Sequence, residues 1–337
     1  MLSSIFLATL ASTVALAAPS TSRRQSGSAQ NVVYWGQNGG GTIENNDLST
    51  YCTADSGIDI LVLSFLYNFN ADSNTATGTI GQSCFITNTG QGQNCEALSQ
   101  AVTKCKAAGK KLIISLGGAS SYSTITSTAE AQAIGEYLWN AYGGGSGVSR
   151  PLGPAVLDGF DFDFENSRSS QYIPDMINTL RSRFSGDSSR KYYITGAPQC
   201  PIPEPNMGTM ITAATFDMLF VQFYNNNNYT YPCALPINGN APFNYDEWVT
   251  FTSKGASKNA QLFIGVPAAP DGANGSPSGA TYYATPAQLS GIVNQYKSHE
   301  RFGGVMEWSA GFSDSNVANG CTYAQQVKRI LTTGAPC

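Results

Sequence analysis

The chain has 337 residues, 42% hydrophobic and only 12% charged, which provides material for a sizeable buried core and excludes intrinsic disorder. Its formal net charge is −4, with no basic cluster beyond pairs such as Lys110-Lys111 and Arg190-Lys191, which argues against nucleic acid as a partner. There is one histidine, His299, and no C-x-x-C pair, so a zinc site and a Ser-His-Asp hydrolase are both disfavoured. His299 sits in the polar run Lys297-Ser298-His299-Glu300 and reads as a surface residue.

The chain opens on an apolar run over residues 2–17 that ends in Ala15-Leu16-Ala17, a small-residue cleavage signal. Residues 1–17 therefore read as a signal peptide, although the positive leading segment is missing. Residues 18–28 are polar and read as a short pro-segment or flexible N-terminus, trimmed after the dibasic Arg23-Arg24. That trimming removes two arginines and no acids, leaving 16 basic against 22 acidic residues and a net charge of −6. No later stretch reaches the roughly 18 apolar residues needed to span a bilayer. The expected product is secreted and extracellular, with association with a cell wall left open, and monomeric. No linker follows residue 30, so residues 29–337 are expected to form one domain. Eight cysteines (52, 84, 95, 105, 200, 233, 321 and 337) in a secreted chain favour disulfides over metal binding.

Eight apolar, β-branched segments read as strands, over 32–37, 60–68, 111–117, 156–165, 192–198, 218–224, 262–267 and 304–309. Helical patterns fall between them, over 95–108, 129–142, 171–184, 286–296 and about 322–331. This alternation predicts parallel βαβ units, and eight units over about 300 residues match an α/β fold of the (β/α)8 barrel type. A doubly wound open sheet is the alternative. It lacks support from the first strand, because Gly36-Gln37-Asn38-Gly39-Gly40-Gly41 does not have the phosphate-binding spacing.

The fourth strand carries Asp158-Gly159-Phe160-Asp161-Phe162-Asp163-Phe164-Glu165, strictly alternating from Phe160 onward. Successive strand side chains point to opposite faces, so the phenylalanines share one face and Asp161, Asp163 and Glu165 the other. Same-face neighbours lie about 7 Å apart, and three carboxyls that close cannot all ionise cheaply. At least one should hold its proton near neutral pH, as a general acid must. A solvated acidic strand is the bland reading; the apolar Ala155, Val156 and Leu157 speak for a central strand instead. An EF-hand loop would need Gly at its sixth position and Glu at its twelfth, where Asn166 and Tyr172 stand.

Active-site groups of such barrels sit at the C-terminal ends of the strands. There the chain places Trp35-Gly36-Gln37-Asn38, Ser64-Phe65, Ser115-Leu116-Gly117-Gly118, Glu165, Gln199, Gln222-Phe223-Tyr224-Asn225 and Glu307-Trp308-Ser309. By parity Gln222 and Tyr224 share one face, opposite Leu219, Val221 and Phe223. Amides, aromatics and carboxyls converging on one mouth describe a sugar cleft better than a cofactor pocket, with packing as the alternative role of each aromatic.

These segments resemble glycoside hydrolase family 18, and more narrowly its plant-type (class III) chitinases, found also in fungi. Asp158 to Glu165 matches the family's DGxDxDxE, and Ser115-Leu116-Gly117-Gly118 its SxGG. The likeness runs from about Asn31 to the last helix and implies a chitinase acting on chitin or chito-oligosaccharides, without cofactor or metal. It implies Glu165 as acid/base, Asp163 as the group that orients and charge-stabilises the substrate's acetamido group, and Asp161 sharing a proton with Asp163. Tyr224 would hydrogen-bond the acetamido group, and Trp308 would floor the sugar site before the scissile bond. Gln37, Asn38, Phe65, Gly118, Ala119, Gln222 and Asn225 would line the cleft. The mechanism implied is retaining and substrate-assisted. By parity Glu307 points away from the face that Trp308 occupies, so no strand end offers the second inward carboxyl that a two-carboxylate mechanism needs. The resemblance further implies the pairs Cys52–Cys105, Cys84–Cys95 and Cys200–Cys233, leaving Cys321 for Cys337, and non-proline cis bonds at Ser64–Phe65 and Trp308–Ser309. Asn228-Tyr229-Thr230 and Asn274-Gly275-Ser276 are glycosylation sequons. Two alternatives remain: a catalytically dead, lectin- or inhibitor-like sugar-binding barrel, and an endo-β-N-acetylglucosaminidase acting on N-glycans.

Overall fold

The computed structural model describes residues 29–37, 46–121, 124–168, 170–226, 230–239, 241–273 and 277–337. The segments assigned to a signal peptide and pro-segment, together with Asn38, Asn228 and Asn274, lie outside the described residues.

Eight strands run parallel around a closed barrel: β1 (Gln30–Trp35), β2 (Ile60–Asn70), β6 (Lys111–Gly118), β7 (Gly159–Phe164), β8 (Tyr193–Gly196), β9 (Met218–Gln222), β10 (Gln261–Pro267) and β11 (Phe302–Trp308). β1 pairs with both β2 and β11, so the eight-stranded barrel is closed and a doubly wound sheet is ruled out. Strand parity divides the core in two. Val32, Tyr34, Ile60, Val62, Ile113, Met218, Phe220, Phe263 and Met306 fill the inside of the barrel. Leu61, Leu63, Leu112, Ile114, Phe160, Phe162, Leu219 and Val221 point outward and pack under the helices.

The principal helices are α1 (Glu96–Ala107), α2 (Thr128–Tyr142), α3 (Ile173–Gly186), α6 (Pro286–Tyr296) and α8 (Tyr323–Thr333). Local chemistry sets their ends. Ser127 caps α2, while Thr285 with Gln288 and Thr322 with Gln325 form capping boxes that satisfy the free N–H groups of α6 and α8. Gly334 closes α8 in the left-handed region, where glycine lacks a steric penalty.

The structure differs from the sequence reading in three places. The fourth barrel strand starts at Gly159, not at residue 156, because the Leu157 N–H is taken by the Tyr142 carbonyl at the end of α2. Between β2 and α1 lies an antiparallel extension, β3 (Thr75–Ile80), β4 (Cys84–Ile86) and β5 (Gly92–Gln93), that continues the sheet from β2. Three short helices also went unread: α4 (Gly208–Ala213), α5 (Tyr245–Ser253) and α7 (Ala310–Ser315). Each is under ten residues, too short to display a clear 3.6-residue period.

Four disulfides join Cys52–Cys105, Cys84–Cys95, Cys200–Cys233 and Cys321–Cys337, the three pairs that the resemblance implies and the one that they leave over. The Ser64–Phe65 and Trp308–Ser309 bonds are cis.

Candidate active site

The alternation on β7 does what its parity requires. Phe160, Phe162 and Phe164 pack outward, and Asp161 and Asp163 point into the barrel. Asp161 is fully buried and accepts three hydroxyl hydrogen bonds, from Tyr34 (2.7 Å), Ser115 (2.7 Å) and Thr195 (2.6 Å), one each from β1, β6 and β8. Burial pushes its pKa up while these donors pull it down. Asp163, one pleat nearer the rim, accepts from Gln222 Nε2 at 3.1 Å. Burial, then the neighbouring Glu165 and Asp161 charges, hold its pKa well above the carboxylate range. Glu165 stands just past the strand end. Burial raises its pKa, and a 3.4 Å bond from Gln199 Nε2 acts in the opposite direction. None of the four ion pairs among the described residues involves this cluster. Burial without a paired cation thus raises the pKa of all three acidic groups, Asp163 most clearly.

Tyr224 is buried beside them. Burial and the Asp163 and Glu165 charges raise its pKa well above the usual phenol value, so its hydroxyl stays a donor. The backbone allows this crowding at one particular glycine. Gly117 has φ +111°, and a Cβ there would lie 2.3 Å from the Asp163 carbonyl oxygen.

A cleft of about 770 Å³ opens over the carboxyls. Asp163, Glu165, Tyr224, Gln37, Phe65, Gly118, Ala119, Gln222, Asn225 and Trp308 all line it, whereas Asp161 lies beneath its floor. The Trp308 and Phe65 rings stack at 6.0 Å, with Tyr34 tilted against both, which makes a broad apolar base. Sequence reasoning missed the lining residues Tyr67, Asn68 and Ser120, and named Gln199 only as a strand-end residue. Tyr67 and Asn68 come from the part of β2 that outruns the barrel to pair with β3, a partner the pattern did not reveal. Glu307 lies outside the cleft, fully buried beneath the helices. His299 is half-buried, its Nδ1 accepting from the Arg301 N–H at 3.1 Å. Among the described residues no group of three or more His, Cys, Asp or Glu is placed to hold a metal ion.

The sequence model of the glycosyl hydrolases family 18 matches residues 30–313, most of the chain. This chain belongs to glycosyl hydrolase family 18. Among family relatives, it is 62% identical over 317 residues to Endochitinase 2 of Metarhizium robertsii, covering 93% of this chain and 76% of that one. Of solved structures, the ICChI chitinase from Ipomoea carnea superposes with a TM-score of 0.69 at 30% identity, covering 89% of this chain and 98% of that one. The xylanase-alpha-amylase inhibitor protein XAIP-I superposes with a TM-score of 0.68 at 28% identity, covering 92% and 100%. The family 18 barrel therefore accommodates proteins named for unlike activities, and the site itself has to carry the functional argument. Here that site joins a carboxyl of raised pKa at the rim, a buried acid pair below it, a phenol donor and an aromatic base.

Proposed function

We propose that this glycoside hydrolase is a chitinase that cuts the β-1,4 linkages between N-acetylglucosamine units with retention, using the substrate's own acetamido group as nucleophile. The observation that carries this reading is the set of carboxyls lining the cleft: Asp163 and Glu165 alone among the described residues. They are two residues apart on one strand and face the same way, so no carboxyl stands across the sugar from Glu165, as a two-carboxylate retaining enzyme needs. An acetamido oxygen supplies the missing nucleophile.

In the first step Glu165, protonated, gives its proton to the glycosidic oxygen. The acetamido carbonyl oxygen bonds to C1 as the C1–O bond to the leaving sugar breaks. Tyr224 donates to the acetamido group and keeps it under C1. Asp161, with three hydroxyl donors, is the better home for negative charge, so Asp163 carries the proton shared by the pair at rest. Moving that proton toward Asp161 places charge beside the cationic ring. In the second step Glu165 takes a proton from water, the water oxygen bonds to C1, and the acetamido group is released intact. Two inversions at C1 give net retention. Trp308 and Phe65 provide the apolar base on which the sugar face rests.

Chitin and fully deacetylated chitosan, which differ little in chain shape, test this directly. The expected result is hydrolysis of chitin oligomers with β-anomeric product first, and an inert chitosan. Fresh α-anomer, or equal rates on the two polymers, would overturn it. An inactive sugar-binding barrel is the second reading, with the structural likeness to XAIP-I in its favour; it requires no hydrolysis of either polymer. Secretion and a monomeric state are part of the proposal. Among the described residues no helix is long and apolar enough to cross a membrane.

A further inference from the structure

Gln199 makes the one hydrogen bond found for the Glu165 carboxyl among the described residues, through Nε2 at 3.4 Å. Its other amide atom, Oε1, is buried and has no hydrogen-bond partner among the described residues. An unpaired buried acceptor is costly, so this one needs an explanation.

The backbone at this position is held from several directions. Gln199 forms a parallel bridge to Gln222 of β9, and its N–H donates to Glu204 Oε1 at 3.3 Å. Glu204 is itself buried and also accepts from the Asn206 N–H at 2.9 Å and from the Met207 N–H. The next residue, Cys200, is bonded to Cys233, and its carbonyl accepts from Asn244 Nδ2 (2.8 Å) and Trp248 Nε1 (3.0 Å). A side chain on so fixed a backbone is free to move mainly about its own terminal torsions.

We propose that Gln199 is a positioning residue for Glu165 that donates to its carboxylate and, after a half-turn of the amide, accepts from its carboxylic acid. The proposal rests on the reading of Glu165 as a group that is an acid in one step and a base in the next. Those two states need opposite partners. A lysine would serve only the ionised form; an amide carries one acceptor and one donor group on a soft torsion and serves both. The unpartnered Oε1 is then the acceptor kept for the protonated state. Among the described residues the other titratable groups that interact with Glu165 are Asp163 on β7 and Tyr224 after β9, with Asp161 and Tyr34 behind Asp163 and Glu204 behind Gln199, and none supplies positive charge. The bond that Gln199 donates to the carboxylate is charge-assisted and stronger than the neutral bond its oxygen accepts from the acid, so on balance Gln199 favours the ionised form, in agreement with its lowering effect on the Glu165 pKa.

The test follows the Glu165 carboxyl by 13C NMR titration of the full chain, alongside kcat/KM against pH on a chitin oligomer, in wild type, Gln199→Met and Gln199→Glu. Methionine keeps the volume and removes both hydrogen-bonding atoms. The Glu165 midpoint and the basic limb of kcat/KM should both move up by about half to one pH unit in Gln199→Met, and further in Gln199→Glu, where a like charge faces Glu165. A purely structural role would lower kcat/KM at every pH and leave the midpoint in place. Unchanged midpoints in the folded variants would overturn the proposal, whatever happens to the rate. Glu165→Gln separates the two levels. Hydrolysis surviving in that variant would overturn the acid/base role of Glu165, while the titration still decides whether Gln199 holds its carboxyl.

Discussion

Asp161, Asp163 and Glu165 are chemically similar groups in three different environments along one strand. The deepest has three hydroxyl donors, the middle one a single amide and two acidic neighbours, and the outermost one amide at the rim. In the proposed mechanism that gradient assigns their work. Glu165→Gln preserves volume and loses the transferable proton, so chitin hydrolysis should fall by about 10²–10⁴-fold with melting temperature nearly unchanged. Asp163→Asn should lower kcat more than it raises KM, because the charge it removes matters most when the ring becomes cationic. Steady-state kinetics on a chitin tetramer, with thermal melts as the control for folding, check both.

At the scale of elements, the site depends on how closely β6 approaches β7. Gly117→Ala puts a methyl into the Asp163 carbonyl and forces a backbone conformation that side chains disfavour, for about 1–3 kcal/mol. Urea unfolding should show that loss, together with reduced activity, since the strand that moves carries Asp163. On β11 the outward Glu307 is fully buried, and burial pushes its pKa up to about 8 from the usual 4.5, against a lowering contribution from the Asn31 side chain. The folded protein therefore holds a proton that the unfolded chain releases. This contribution to stability is complete below about pH 4.5 and is lost as pH rises toward 8. Melting temperature should decline over that interval, and Glu307→Gln, which cannot ionise, should flatten the decline. A decline of the same slope in the variant would assign it to other groups, the raised Asp163 and Glu165 among them.

The whole molecule is a closed barrel with four covalent ties, and the ties differ in how much chain they restrain. Cys52–Cys105 spans 53 residues and Cys84–Cys95 only 11. In the chain-entropy account the longer loop stabilises by about 4 kcal/mol and the shorter by about 3. The paired serine variants should therefore rank in that order in denaturant midpoint. The reverse order would mean that the antiparallel extension beginning at β3 depends on its staple for its own folding. Cys200–Cys233 is a different kind of tie, because it holds the segment that carries Gln199.

What the sequence determined by itself was whatever depends on spacing along the chain. Period-two alternation put three carboxyls on one face of β7, and the recurrence of apolar segments predicted eight barrel strands, because each is a relation between residues close in number. The antiparallel extension was not legible, since 75–93 is short-stranded and rich in Thr, Gly and Gln, and its pairing is set by the protruding end of β2. Nor was the support of the acids. Tyr34 reaches Asp161 across 127 residues of sequence, and Gln199 reaches Glu165 across 34. Such contacts exist only once parallel strands close into a ring, because closure alone brings the inward side chains of separate strands to one axis. Tertiary structure thus decided how strongly each carboxyl's pKa is raised, through burial and through donors that no local pattern announces.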